Sequence, residues 1–383
     1  MNILFYGGHY WDRGPWFRKQ QFASRLSERG HKVFYIEDTP SIIRKTKNHK
    51  NHYLKTTVKK LNDNLFIITP SAMFPFPKNF NIGKLYNLKL LRDLKKIFKL
   101  NNVKESIIWV NRIEFSNVFD SIKGKKIIDI CDDLPYYQKL AGDEKAYKNI
   151  FRFFELAFKK SDIQIVSAVK LKEKYSYLTP NEIIVIPNGH NLSSTESDTL
   201  KIPEDINGIK RPIIGFIGTL FRFIDEDLLK YIIAQRPQYN YVFIGKKESN
   251  FPIEKINKYN NVHLLGAKPK NEIASYINSF DLCINPFKVH EVNDSVNPVK
   301  VFEYLSLKKP IVSSKMYSLE KERIAKYIHF ANDYQEFLFM IDQIIAQHKS
   351  VNNVPDEEIN LYHWDNLFIK LLNEIKRNSK IEL

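Results

Sequence analysis

Lys300 and Glu303 lie three residues apart in Asn297-Pro298-Val299-Lys300-Val301-Phe302-Glu303-Tyr304-Leu305, followed by Lys309-Pro310-Ile311-Val312-Ser313-Ser314. The segment reads as a helix that takes Asn297 as its N-cap and Pro298 at its first position and runs to about Leu307, before Pro310 stops it and a β-branched strand begins. A cation in the first turn is opposed by the helix dipole, and Lys three residues before Glu is a poor orientation for an intrahelical pair, so helix stability does not explain Lys300. A phosphate does. Free N–H groups at the helix start plus one ammonium suit a diphosphate, and Glu303, one turn on, can accept from two adjacent sugar hydroxyls. That combination fits a nucleotide.

Other candidate groups follow strand-like runs. Gly218-Thr219-Leu220 closes the run Ile213 to Ile217 and can bring backbone N–H groups to a diphosphate, with Arg222 near enough to pair with it. Leu264-Leu265-Gly266 ends another run and can offer backbone groups to a base. Asp132 and Asp133 follow Ile127 to Cys131; adjacent carboxylates at a strand end point in different directions, so one can face a cleft while the other supports a helix start. Asp225-Glu226-Asp227 stands where a helix begins, and capping with dipole complementarity accounts for it, so no metal is assigned. His9 and Glu114 lie in or after first-half loops. Arg13 and Trp16-Phe17-Arg18-Lys19 mix aromatics and cations as a membrane-surface contact would.

These residues need a scaffold of alternating strands and helices. Runs at Asn2–Tyr6, Lys32–Glu37, Leu65–Thr69, Ser106–Val110, Lys126–Ile130, Ile163–Ser167 and Glu182–Ile186 alternate with helical segments, and the pattern restarts at Pro212. That predicts an α/β chain of two Rossmann-like domains with mainly parallel sheets. Gly7-Gly8 permits close backbone approach, yet the spacing is not that of a dinucleotide fingerprint. The turn Pro187-Asn188-Gly189 precedes the boundary: residues 1–190 form the first domain, Asn191 to Lys210 the linker, 191–355 the second domain and 356–383 a C-terminal segment with a long amphipathic helix, Asp356 to Lys376.

Composition narrows the class. With 383 residues, 43% hydrophobic, 27 Phe and 20 Tyr, the chain is globular and large enough for two cores. No run reaches the ~20 apolar residues that span a bilayer, and no cleavable signal opens the chain, which points to the cytoplasm. Cys131 and Cys283, far apart and without zinc spacing, read as reduced and buried. The net charge of +16, from 59 Lys+Arg against 43 Asp+Glu, favours an anionic partner. No nucleic-acid motif accompanies it.

Asn-Pro-Val-Lys-x-Phe-Glu-Tyr-Leu followed by Lys-Pro-Ile-Val-Ser resembles the donor-binding motif of bacterial GT-B glycosyltransferases, closest to the teichuronic-acid and xanthan group of envelope and exopolysaccharide synthesis. The resemblance extends to Ile186-Pro187-Asn188-Gly189-His190-Asn191 and covers nearly the whole chain. It implies two Rossmann-like domains facing a cleft, with the C-terminal helix crossing back to the first. It implies that Lys300 binds donor phosphate and Glu303 ribose, with Gly218, Thr219, Arg222, Leu265, Ser295, Asn297 and Val299 around the nucleotide. It places an aspartate of Ile127 to Asp133 as the base that takes the acceptor's proton, Asp133 being preferred over Asp132. Retaining relatives carry a second glutamate eight residues before the ribose-binding one; here that position is Ser295, which favours inversion. The implied partners are a nucleoside diphosphate sugar, UDP-linked, a glycan or lipid-linked acceptor, and an anionic membrane surface, with no cofactor or metal. A sugar-nucleotide epimerase of the same fold and a basic polyanion-binding protein are the alternatives.

Overall fold

The computed structural model describes residues 1–13, 16–39, 55–71, 80–100, 106–192, 200–347, 351–379, 381 and 383. Two compact units emerge, one built from Met1–Ile186 and Phe368–Leu383, the other from Pro187–Leu367. Each is built on one sheet.

The first sheet contains β1 (Asn2–Tyr6), β2 (Lys32–Ile36), β3 (Thr57–Lys60), β4 (Leu65–Thr69), β5 (Ser106–Val110), β6 (Lys126–Ile130), β7 (Ile163–Val166) and β8 (Ile184–Val185), in the order β3-β4-β2-β1-β5-β6-β7-β8. Every pairing is parallel except β3 with β4. The sequence patterning does not announce β3, a polar edge strand whose Val58, Lys59 and Lys60 are exposed. The central strands are nearly continuous apolar runs because helices cover both faces of a parallel sheet, and Ile3, Leu4, Phe5, Phe34, Ile108 and Ile128 are all buried.

The second sheet contains β9 (Ile213–Ile217), β10 (Asn240–Ile244), β11 (Val262–Gly266), β12 (Leu282–Asn285), β13 (Ile311–Ser314) and β14 (His329–Ala331), in the order β11-β10-β9-β12-β13-β14 and parallel throughout. The unit boundary falls earlier than residue 190, between Ile186 and Pro187. Asn188 is tied to the second unit: its backbone N–H donates to Asn297 Oδ1 at 2.8 Å and its side-chain amide to the Asn297 carbonyl at 2.7 Å. Part of the expected linker, residues 193–199, lies outside the described residues. The expected single helix from Asp356 to Lys376 is instead two, Asp356–Asn360 and Trp364–Ser379. The break has a backbone cause: His190 N–H donates to the Tyr362 carbonyl at 3.1 Å and Trp364 N–H to the His190 carbonyl at 3.0 Å, bonds a continuous helix could not offer.

Candidate functional site

In the second sheet the chain runs from β9 outward through β10 to β11, then returns to β12 and continues outward on the other side through β13 to β14. The loops leaving the carboxyl ends of β9 and β12 therefore diverge, and such a switch point is where open α/β sheets bind ligands. After β9 comes Gly218, with φ +144° and its N–H donating to the Ile244 carbonyl at 2.8 Å. A Cβ there would stand 3.0 Å from Lys300 Nζ, so glycine is what lets the loop approach the ammonium. After β12 the chain passes Phe287 and reaches the helix Val299–Ser306.

The helix begins one residue later than the sequence suggests. Pro298 is its N-cap and makes no side-chain capping bond, so Val299 and Lys300 occupy the first turn without a capping acceptor. Asn297, only 3% exposed, accepts from Asn188 through Oδ1 and donates to Glu322 at 3.2 Å. It holds the loop in place; the expectation that it caps the helix is corrected. Ser295 is buried where the short helix Glu291–Asp294 ends.

Lys300 Nζ lies 4.0 Å from the ring centre of Phe216 and 5.0 Å from that of Phe287, a cation held between two aromatic faces. No ion pair or hydrogen bond of its ammonium is found among the described residues. Burial pulls Lys300 down from 10.5 to about 7, with Glu303 opposing only in part. Glu303 is pushed up by burial, while Lys270 and Lys300 pull it back. Its carboxylate likewise takes no hydrogen bond among the described residues. Two under-solvated charges without direct partners at a switch point are poised for a ligand that supplies both an anion and hydroxyl groups. Phe216, Phe287 and Lys270 shape this pair and were not singled out in the sequence, where aromatics beside a strand end and a lysine in a loop carry no signature.

The remaining donor candidates are more dispersed. Gly218 and Val299 adjoin Lys300, in space and in the helix respectively. Thr219 is exposed, and Arg222 is exposed with its guanidinium 4.7 Å from the Phe223 ring centre. Leu265 is half-buried on β11, the edge of the sheet, where one row of backbone groups lacks a neighbouring strand among the described residues.

The first sheet has its own switch point, between β1 and β5, with Gly7-Gly8 after β1, Asn111-Arg112 after β5 and Cys131-Asp132-Asp133 after β6. Gly8 has φ +69°, and a Cβ there would come within 2.3 Å of Arg112 Cγ. Asp133 is 1% exposed and fully engaged. It caps the helix Leu134–Leu140 by accepting from Tyr136 N–H at 3.2 Å, and it accepts from the Tyr175 hydroxyl at 2.5 Å and the Lys174 ammonium at 2.8 Å. With three of its four lone-pair positions taken and almost no exposure, Asp133 reads as the helix cap and not the expected base, and Asp132 is the better placed of the two to meet an acceptor proton. Asp132 is exposed to solvent on one side, has one long bond from the Tyr137 hydroxyl at 3.4 Å, and is raised by the protein around it, with Lys19 lowering and Asp133 raising it further.

Near Asp132, burial and the charge of Lys19 bring His9 down to about 4, and its Nδ1 faces Lys19 Nζ at 3.0 Å. A neutral imidazole already accepting from an ammonium is a poor proton acceptor. Glu114 pairs with Arg112 at 3.5 Å, and Arg112 with Asp38 at 3.3 Å. Arg18 leaves the expected surface patch altogether: it is buried, pairs with Asp129 at 3.0 Å and donates to the Ile186 carbonyl at 2.7 Å. Trp16 packs edge-on against Trp11 at 4.9 Å. Asp225 caps the helix Glu226–Gln235 through Asp227 and Leu228 N–H, while Glu226 and Asp227 pair with Lys255. Among the described residues no cluster of His, Cys, Asp and Glu has the make-up of a metal site, and no helix is long and apolar enough to cross a membrane.

Residues 211–347 match the family model for glycosyl transferases group 1. Over 154 residues the chain is 27% identical to TuaH of Bacillus subtilis (strain 168), named for a glycosyltransferase role in teichuronic acid biosynthesis; the match spans 40% of this chain and 38% of that protein. Among solved structures, sucrose-phosphate synthase from Thermosynechococcus elongatus superposes with a TM-score of 0.70 at 15% identity, covering 98% of each chain. A glycosyltransferase from Rickettsia africae ESF-5 gives 0.64 at 14% identity over 99% of this chain and 98% of its own. HepE of Anabaena, in complex with UDP and glucose, gives 0.66 at 14% identity over 98% and 100%. The fold is GT-B, two Rossmann-like units.

Proposed function

We propose that this chain is a glycosyltransferase that moves a sugar from a nucleoside diphosphate donor, UDP-linked, to an acceptor of a cell-envelope, capsule or exopolysaccharide glycan. The observation that carries the reading is the Lys300–Glu303 pair, under-solvated and without direct partners beside Gly218 at the switch point of the second sheet. Lys300 and the open first turn of its helix would take the diphosphate, and Glu303 the ribose hydroxyls. The group 1 match over this unit and the UDP complex of a protein of the same fold support the donor class, and the likeness to TuaH supports the acceptor class.

In the reaction the acceptor oxygen attacks the anomeric carbon as the bond from that carbon to the diphosphate oxygen breaks. Asp132 takes the acceptor's proton, and the electron pair left on the diphosphate is balanced by Lys300 and the helix N–H groups. Asp132 thus supplies proton removal and Lys300 charge balance from the protein itself. Ser295 at the place of a retaining relative's second glutamate supports a single inverting displacement. Donors of this kind, together with the unpaired Cys131 and Cys283, fit a cytoplasmic enzyme.

Calorimetry with UDP, ADP and GDP tests the donor site. UDP is expected to bind best, and Lys300→Ala to weaken it roughly 10- to 150-fold, the equivalent of about 1.5–3 kcal/mol for a charge-assisted contact. Unchanged UDP affinity in a folded Lys300→Ala protein rejects the assignment. Product that is an epimerised sugar nucleotide, formed with no acceptor present, rejects group transfer.

A further inference from the structure

We propose that the exposed face of the helix Phe80–Leu100 is a docking surface for an anionic lipid bilayer. The helix is 21 residues long and belongs to the first unit. Its inner face buries Leu90, Leu91, Leu94 and Ile97. Its outer face carries Lys84, Lys89, Arg92, Lys95, Lys96 and Lys99, all exposed, against one acid, Asp93. Asp93 is half-buried and accepts from the Thr56 hydroxyl at 2.7 Å, and as a single carboxylate it leaves a large basic excess on the helix. At 100° per residue, the exposed positions from Lys84 to Leu100 fall within an arc of about 160°.

Local stability does not account for this charge. Arg92 with Lys96, and Lys95 with Lys99, are like charges one turn apart, and of the six only Lys99, in the last turn, gains from the helix dipole. None of the six cations has a carboxylate within 4.0 Å among the described residues; Lys89 donates to the Ser71 hydroxyl. A surface of negative charge would relieve the repulsion. The apolar residues decide what kind. Leu85 is 71% exposed and Leu88 36%, both in the middle of the basic arc, and Leu100 at its end is 84% exposed. A polyanion needs only the cations, whereas a bilayer interface takes the leucines into its acyl boundary while the lysines reach the headgroups. The helix would lie on the membrane for about 30 Å of its length rather than cross it. The strand β3 adds exposed Val58, but its Lys59 and Lys60 are paired with Asp12 and Asp63, so the free charge belongs to the helix. This surface lies in the same unit as the one expected from Arg13 and Trp16 to Lys19, from which only Arg18 is withdrawn by burial.

This inference stands apart from the donor reading, and UDP binding serves as the fold control. The full chain is sedimented with vesicles of phosphatidylcholine alone and of phosphatidylcholine with phosphatidylglycerol, at rising salt. Binding is expected to favour the anionic vesicles roughly ten-fold or more and to fade with salt. Lys95→Glu with Lys96→Glu, and separately Leu85→Ser with Leu88→Ser, should each lower it roughly ten-fold while the UDP-induced shift in unfolding temperature persists. As a milder variant, Leu85→Trp should show a blue-shifted emission on anionic vesicles. Equal binding to both vesicle types, or no emission shift, overturns the proposal. So does a leucine variant that binds as wild type while the charge variant does not, because that pattern marks a polyanion surface.

Discussion

At Lys300 the fold holds a cation where water and carboxylates do little to stabilise it. In the free protein the group sits at about 7, against 10.5 in an unfolded chain. Between those values the unfolded chain binds a proton that the folded one does not, so the site's contribution to stability rises with pH across that window, and its penalty is complete below about 7. Lys300→Met should therefore raise the unfolding temperature at pH 6 and lose that advantage toward pH 10, while UDP affinity falls. A calorimetric melt at both pH values checks this; a destabilised Met variant at pH 6 would mean the ammonium is better solvated than its surroundings suggest. The same group sets the pH dependence of donor binding. A diphosphate restores the ammonium, so binding takes up a proton above about pH 7, and the affinity for UDP-glucose should be flat below that and decline by up to ten-fold per pH unit above it. Titrations in two buffers of different ionisation enthalpy would reveal the proton.

Asp132 and Asp133 show what an element does to neighbouring residues of one type. Asp133 holds the start of the helix Leu134–Leu140 and is locked by Tyr175 and Lys174, so Asp133→Asn should lower stability by about 2–4 kcal/mol. Asp132→Asn should leave the melt almost unchanged and reduce transfer by roughly 10² to 10⁴. Thermal unfolding beside turnover separates them, and near-normal turnover of Asp132→Asn would remove it as the base. The sequence could not make this choice, because which of two adjacent carboxylates turns inward depends on Lys174 and Tyr175, contributed by a helix some forty residues away. By contrast, the Lys300 helix was legible locally: proline, dipole and stop signals all lie within the segment, and only the cap was misplaced, since Asn297 answers to Asn188. The parallel strands were legible for the same reason, their apolar runs being read without partners. The edge strand β3 and the break at Leu361 to His363 were not, since each is fixed by pairing with a distant backbone, β4 and His190 respectively. In the sequence a cation beside aromatics looks solvated, whereas Arg18 is buried because β6 brings Asp129 to it.

At the scale of the whole chain, Lys300 belongs to the second unit and Asp132 to the first, so donor binding and proton removal can fail separately. The first unit contains the last sixteen residues of the chain, including buried Phe368, Leu371, Leu372 and Ile375. Ending the chain at Leu367 should lower or abolish the unfolding transition of the first unit while UDP still raises that of the second. Loss of both responses would show that the nucleotide unit does not stand without that helix. The stereochemical outcome is the remaining consequence of the arrangement. A retaining path would call for a protein group that bonds the anomeric carbon on the face opposite the leaving group, or for one that stabilises its charge while the acceptor enters beside the leaving group, and at the position where the resemblance implies a glutamate in retaining relatives this chain has Ser295, buried and uncharged at the end of a short helix. Asp132, raised by its surroundings and free of strong hydrogen bonds, has the properties of a base for a single in-line displacement. The new glycosidic linkage should therefore have the anomeric configuration opposite to that of the donor, read from its one-bond carbon–hydrogen coupling by NMR, and Asp132→Asn should bind UDP normally while forming it roughly 10²- to 10⁴-fold more slowly. Retention of configuration would overturn the role given to Asp132 and leave the nucleotide site at Lys300 and Glu303 intact.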